Sequence, residues 1–185
     1  VRRYLEWNSL GSADSYYRYY PAVKFLKRNF RGGPAPLILD AGCRNVGAGT
    51  YIPLKFIGLE PDFADAGWAV DNPYIVPVAA DGCSMPFGDS TFDAAVSVDT
   101  LEHVPPECRS EFVKEMVRVS SRWVVLIVPA GEDARRFDRR TYEHQKTRGP
   151  VIKHKNEHIE MPVPLEEEIR EWVSQCPGMA EYSIS

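Results

Sequence analysis

Four acidic residues each close a short apolar stretch. Asp40 follows Leu37-Ile38-Leu39, Glu60 follows Phe56-Ile57-Gly58-Leu59, Asp81 follows the β-rich run from Tyr74 to Ala79, and Asp99 follows Phe92 to Val98. One acid after a strand carries no information, because turn-forming residues follow strands routinely. Four in succession on one rim would accept hydrogen bonds from a polar ligand bearing hydroxyls and amines. A second cluster is His154, Glu157 and His158, an HxxEH string that binds zinc when it lies on a helix. Lys153, Lys155 and Asn156 flank it and Pro150 and Pro162 bracket it, which predicts a loop and no metal. The four cysteines, at 43, 83, 108 and 176, contain no CxxC pair. That spacing predicts reduced thiols and a cytoplasmic setting, without a disulfide framework or structural zinc.

The elements that must position these residues alternate along the chain. Pro21 suits the first turn of a helix carrying Val23, Leu26 and Phe30 at helical spacing, stopped by Gly32, Gly33 and Pro34. Five apolar strands are predicted, at 37–40, 56–60, 74–79, 92–98 and 123–128. Glu107 to Ser120 reads as an amphipathic helix with Phe112, Val113, Met116, Val117 and Val119 inward. Pro164 to Gln175 reads as another, with acids in its first turn where the helix dipole favours them. Residues 131–160 are polar, charge-mixed and without clear period. Glu181 to Ser185 would begin a sixth strand. Buried strands alternating with helices predict an α/β fold, a mostly parallel sheet with helices on both faces. In such folds the ligand lies at the carboxyl ends of the strands, where the four acids fall.

The chain of 185 residues suits one domain, and 44% hydrophobic content supplies a core. The net charge of −4 excludes general nucleic-acid binding through bulk charge. No apolar run approaches a membrane span, and no signal peptide is visible. Charge is uneven: residues 1–33 carry net +5, leaving −9 for the remainder. That segment also holds Tyr4, Trp7, Tyr16, Tyr17, Tyr19, Tyr20, Phe25 and Phe30. It reads as a basic, aromatic helical arm or lid on a domain spanning 34–185. The arm would pack on that domain, cover an anionic substrate through Tyr16 and Tyr20, or touch a membrane surface peripherally.

Several motifs, in order, resemble a class I S-adenosylmethionine-dependent methyltransferase of the type-11-like group. Leu37-Ile38-Leu39-Asp40-Ala41-Gly42-Cys43 is similar to the first motif, a strand running into a glycine turn under the cofactor. Met85-Pro86-Phe87-Gly88-Asp89-Ser90-Thr91-Phe92-Asp93 resembles the family's lead-in to the fourth strand, and Leu101-Glu102-His103-Val104 its "LEHv" segment. The resemblance covers roughly 35–130, with a weaker echo at 154–170. It implies a Rossmann-like methyltransferase fold and a cofactor set of Asp40, Ala41, Gly42, Cys43, Glu60, Pro61, Asp81, Gly82, Cys83, Asp99 and Thr100. Glu60 would accept both ribose hydroxyls. Asp81 and a backbone N–H beside Cys83 would read the adenine edge, and Asp99 and Thr100 would touch the methionine portion. His103 is the implied base candidate, against a structural histidine packed over the cofactor. Glu157 to Pro162 resembles a segment after the fifth strand, which places His158 near the substrate mouth.

Two departures stand out. Arg44 occupies the usual second-glycine place, where it would close the methionine end of the pocket or pair with the cofactor carboxylate. Pro53 limits the stretch after Gly49 to a single turn of helix. The family sheet commonly has seven strands, so the C-terminal strands are incomplete, and a homodimer through that edge is one expectation. The activity implied is methyl transfer from S-adenosylmethionine, yielding S-adenosylhomocysteine, to a small-molecule or lipid-linked, envelope-type acceptor. The alternative is a catalytically inactive binding or regulatory module of the same fold. Nucleic-acid amino-methylation is disfavoured, since Asp99-Thr100-Leu101-Glu102 stands where (N/D)PP(Y/F) would be. A nicotinamide-dependent oxidoreductase is disfavoured by the lack of GxGxxG after Asp40.

Overall fold

The computed structural model describes residues 13–43, 47–61, 73–150 and 153–177. Arg44, residues 1–12 of the arm and the expected strand at 181–185 lie outside the described residues. Five strands form one sheet in the order β3-β2-β1-β4-β5, and every pairing is parallel. They are β1 (Ile38–Ala41), β2 (Phe56–Glu60), β3 (Ile75–Ala79), β4 (Phe92–Val98) and β5 (Ser120–Ile127). The central strands β1 and β4 are buried almost throughout, as the unbroken apolar runs require. The single turn expected before β2 is a 3-10 turn, Ala48–Thr50.

Helices cover both faces. On one, α1 (Ala13–Asn29) sets Tyr19, Ala22, Val23 and Leu26 against Ile38, Phe56, Ala94 and Val96. On the other, α2 (Arg109–Val119) and α5 (Glu166–Ser174) bury Phe112, Val113, Met116 and Val119 on Leu39, Leu59 and Ala95. The alternation of Ile38, Leu39, Asp40 and Ala41 between the two faces follows from the two-residue period of a strand.

Two expectations are corrected. Pro21 does not start α1; it lies in its interior, and the helix begins at Ala13. The lost N–H costs one backbone bond. The preceding turns are held by rings: Tyr19 and Tyr16 pack on Tyr51 at 5.5 and 5.6 Å. The HxxEH string, expected in a loop, lies on a helix, and the stretch before it, without clear period, is helical as well. The two helices are α3 (Gly131–Lys146) and α4 (Lys153–Glu160). α3 has little apolar surface to bury, and it is held by i,i+3 ion pairs of Glu132 with Arg135 and of Asp133 with Arg136. Glu132 and Asp133 lie in its first turn and Lys146 in its last, in line with the helix dipole.

The lead-in to β4 is stapled to α2. Arg118 donates to the carbonyls of Phe87 (2.8 Å) and Met85 (3.2 Å) and to Asp89 (2.8 Å), while its fork binds Glu115 at 2.6 and 2.7 Å. Glu115 in turn accepts the Met85 N–H at 2.7 Å. Asp93 accepts the Leu37 N–H at 2.9 Å, tying the starts of β1 and β4 together. Removing the Arg118 fork takes a donor from two carbonyls and from two carboxylates, Asp89 and Glu115. Arg118→Ala is expected to cost about 1–3 kcal/mol, read as a lower urea midpoint with unchanged slope.

Candidate functional site

The strand order reverses between β1 and β4, and the crevice at their carboxyl ends is where an open α/β sheet takes its ligand. Asp40 ends fully buried there. Its Oδ2 accepts the Ala48 N–H at 2.5 Å, and its Oδ1 is buried without a hydrogen-bond partner among the described residues. Burial holds its carboxyl at about 7, with the neighbouring Glu60 adding to the rise and the Ala48 bond opposing it. Burial also pushes the Cys43 thiol well up, so Cys43 is a poor nucleophile.

Gly42 turns the chain out of β1 at φ +81°. A side chain there would be strained, and its Cβ would overlap the Thr100 side chain. The glycine is therefore required by its own neighbour in the turn after β4, beyond any close approach of a ligand. Thr100 bridges the two strand ends, with its hydroxyl 3.3 Å from the Gly42 carbonyl and 3.2 Å from that of Val98. Asp99 takes a left-handed backbone, φ 48°, and pairs with Arg18 of α1 at 3.1 Å. Asp81 lies exposed after β3 and accepts the Cys83 N–H at 2.8 Å, closing the turn around the buried Gly82. That amide is spent within its own turn as the chain stands. Ala41 is buried at the end of β1, and Glu60 and Pro61 end β2.

Across the crevice lies a cluster of acids and histidines. Glu102 is 3% exposed in the 3-10 turn Leu101–His103, and burial holds its carboxyl at about 7. His103 is next to it and faces Glu157 of α4, Nδ1 to Oε2 at 3.3 Å. His158 donates through Nδ1 to Asp138 of α3 at 2.9 Å, and its ring centroid is 5.2 Å from that of His103. Arg109 locks the two halves together. It donates to the carbonyls of Val104 and Glu102, each at 3.0 Å, and to Pro162 at 2.7 Å. Burial lowers its guanidinium pKa.

Residues 39–128 match the family model described as a methyltransferase domain. These residues are a methyltransferase domain. The chain is 31% identical to the chloroplastic tocopherol O-methyltransferase of Arabidopsis thaliana, over 52% of its own length and 33% of that protein. It is also 31% identical to a tRNA (carboxymethyluridine(34)-5-O)-methyltransferase of Arabidopsis thaliana, over 52% of its length and 24% of that protein. The chain thus spans about a third or less of these relatives. Its fold resembles magnesium protoporphyrin IX methyltransferase of Synechocystis PCC 6803, solved with bound SAH. The TM-score there is 0.58 at 18% identity, over 84% of this chain and 69% of that one.

The methyltransferase domain gathers Asp40, Gly42, Asp99 and Thr100 at one strand-end crevice. α4, beyond the matched residues, sets His158 beside His103. Tyr16 and Tyr20 meet in a tilted ring contact at 5.8 Å, and Tyr20 is 45% exposed while Tyr16 also packs on Tyr51. Sequence reasoning gave no site role to Arg18, Glu102, Arg109 or Asp138. The HxxEH spacing was the available signal for Glu157 and His158, and it was set aside because the segment read as a loop. On α3, Arg135 reaches inward and donates to the Val163 carbonyl at 2.8 Å.

A carboxyl held at about 7 binds its proton more tightly when folded than a free aspartate, near 3.9. Asp40 therefore draws stability away as pH rises from about 4 to about 7. An amide oxygen can still accept the Ala48 N–H, so Asp40→Asn is expected to flatten that decline. Melting temperatures across pH 4.5–8 check this; parallel curves for the two proteins would refute it.

Proposed function

We propose that this chain binds S-adenosylmethionine in the β1–β4 crevice and directs its methyl group to a small-molecule or lipid-linked acceptor. The observation that carries the reading is the strand reversal itself. It sets the Gly42 turn, Thr100 and a buried Asp40, whose Oδ1 has no partner among the described residues, at one point. These residues fit the cofactor. Glu60 would accept the ribose diol, the turn from Asp81 to Cys83 would meet the adenine edge, and Ala41 to Cys43, Pro61, Asp99 and Thr100 would line the rest. The bound group supplies an electrophilic methyl on sulfur.

The chain's own task is then alignment and exclusion of water. Arg18 pairs with Asp99 from above the crevice, which supports a closing role for α1. Tyr16 and Tyr20 on the same helix are assigned to the acceptor's approach. His103, beyond Thr100 on the same connection, is assigned to the acceptor side, where its ring can take the acceptor's proton. A chain of net −4 is poorly matched to a nucleic-acid acceptor.

Calorimetric titration tests the reading, with S-adenosylmethionine, S-adenosylhomocysteine and NAD as the three ligands. Micromolar affinity for the first two with NAD silent is expected, and Glu60→Gln should weaken both about tenfold or more, as loss of a charge-assisted bond predicts. Absence of binding to either would overturn it. Binding without turnover against any acceptor would return the chain to the inactive binding module. His103→Gln should keep S-adenosylhomocysteine affinity and lower turnover by about 10²-fold or more.

A further inference from the structure

Glu102, His103 and His158 come from two distant parts of the chain and meet where α4 crosses the turn after β4. One ligand atom from each lies within 4.8 Å of the other two. The three are unlike a chance surface group in two respects. Glu102 is 3% exposed, and its Oε2 is buried with no hydrogen-bond partner among the described residues. Arg109, the buried cation nearest in sequence to this turn, gives its N–H groups to backbone carbonyls of Val104, Glu102, Pro162 and Met161 and none to that carboxylate.

Each histidine is also backed by a carboxylate. Asp138 holds His158 through Nδ1 at 2.9 Å, and Glu157 faces His103 through Nδ1 at 3.3 Å. A carboxylate on Nδ1 fixes the tautomer whose lone pair is on Nε2, and it raises the basicity of that nitrogen. Such carboxylate–histidine pairs are the usual outer layer of a metal site. Two imidazole nitrogens and one carboxylate make a three-ligand set that leaves a position open. Its borderline donors suit a first-row ion such as Zn²⁺ and not the all-oxygen preference of Mg²⁺. Tetrahedral ligands on Zn²⁺ are about 3.3 Å apart, given bonds near 2.05 Å. The side chains must therefore close by about 1.5 Å at most, within reach of small side-chain rotations.

We propose that Glu102, His103 and His158 form a divalent transition-metal site, with Asp138 and Glu157 as its outer carboxylates. The open position lies on the His103 side, where exposure rises to 36% against 11% at His158. It would take an oxygen of the acceptor, a hydroxyl or carboxylate. The ion site stands on these side chains alone; the acceptor role rests on the methyl-transfer reading. In it His103 serves the acceptor as a ligand to the ion in place of a free base.

The full chain, stripped with chelator and kept reduced, is titrated with Zn²⁺, with Mg²⁺ as comparator and S-adenosylhomocysteine in a separate arm. One equivalent of Zn²⁺ at micromolar affinity or tighter is expected, without competition from equimolar Mg²⁺. Glu102→Gln and His158→Gln should each weaken it at least tenfold, and Asp138→Asn by about 10–100-fold. All three should leave S-adenosylhomocysteine affinity in place. Melting curves establish that each variant is folded, and an unfolded one is set aside for the others. No saturable uptake by the wild-type chain overturns the site. So does uptake that survives in every folded variant, since the ion would then be on the thiols. Failure of the cofactor arm alone refutes methyl transfer and leaves the ion site standing.

Discussion

The pairing of β1 with β4 is the constraint from which the site follows. Both strands are buried on two faces, and their register is fixed by which side chains each packed helix layer accepts. The pair is pinned at both ends. Asp93 ties it at the start through the Leu37 N–H, and Thr100 ties it at the finish through the Gly42 carbonyl. The topology reverses at this pair, so the chain leaves β1 and β4 in opposite directions and opens a crevice between them. A Cβ at Gly42 would push the two ends apart, which links a single residue type to the existence of the crevice.

The crevice has two sides with different electrostatics. On the β1–β2–β3 side the acids are at strand ends, and only Asp40 is driven deep. On the β4 side the acids and histidines are contributed by the turn after β4, by α3 and by α4. Each side holds one carboxyl raised to about 7 by burial, Asp40 and Glu102. Burying a carboxyl with an unsatisfied oxygen opposes folding. Asp40 and Glu102 each keep one carboxyl oxygen without a partner among the described residues, so each burial costs stability.

The described part of the N-terminal arm is a helix packed on the sheet, and it still reaches the site. Tyr19, Ala22, Val23 and Leu26 are buried against the sheet, while Arg18 extends to Asp99. One helix face supplies packing and an adjacent position supplies the contact with the site. α4 behaves similarly from the other end of the chain, with Arg109 clasping the carbonyls of Met161 and Pro162 and so fixing Glu157 and His158 opposite His103. Both helices reach the crevice through ionic or polar contacts between residues far apart in sequence.

The five strands, the glycine turn, the lead-in from Met85 to Asp93 and the helix on Phe112 and Met116 were legible because each is written in local periodicity and turn chemistry. The acids at the strand ends were legible for the same reason. The helices of 131–160 were not, because α3 is held by ion pairs and dipole complementarity where the reading looked for an apolar stripe. Nor did Pro21 reveal that α1 extends a further two turns toward the N-terminus, since the contact that holds those turns is made by Tyr51. The partnerships of Arg18 with Asp99, of Asp138 with His158 and of Glu157 with His103 were decided by tertiary structure alone. Each joins polar or charged side chains far apart in the sequence that become paired or buried only when distant elements dock, and no local pattern encodes that docking.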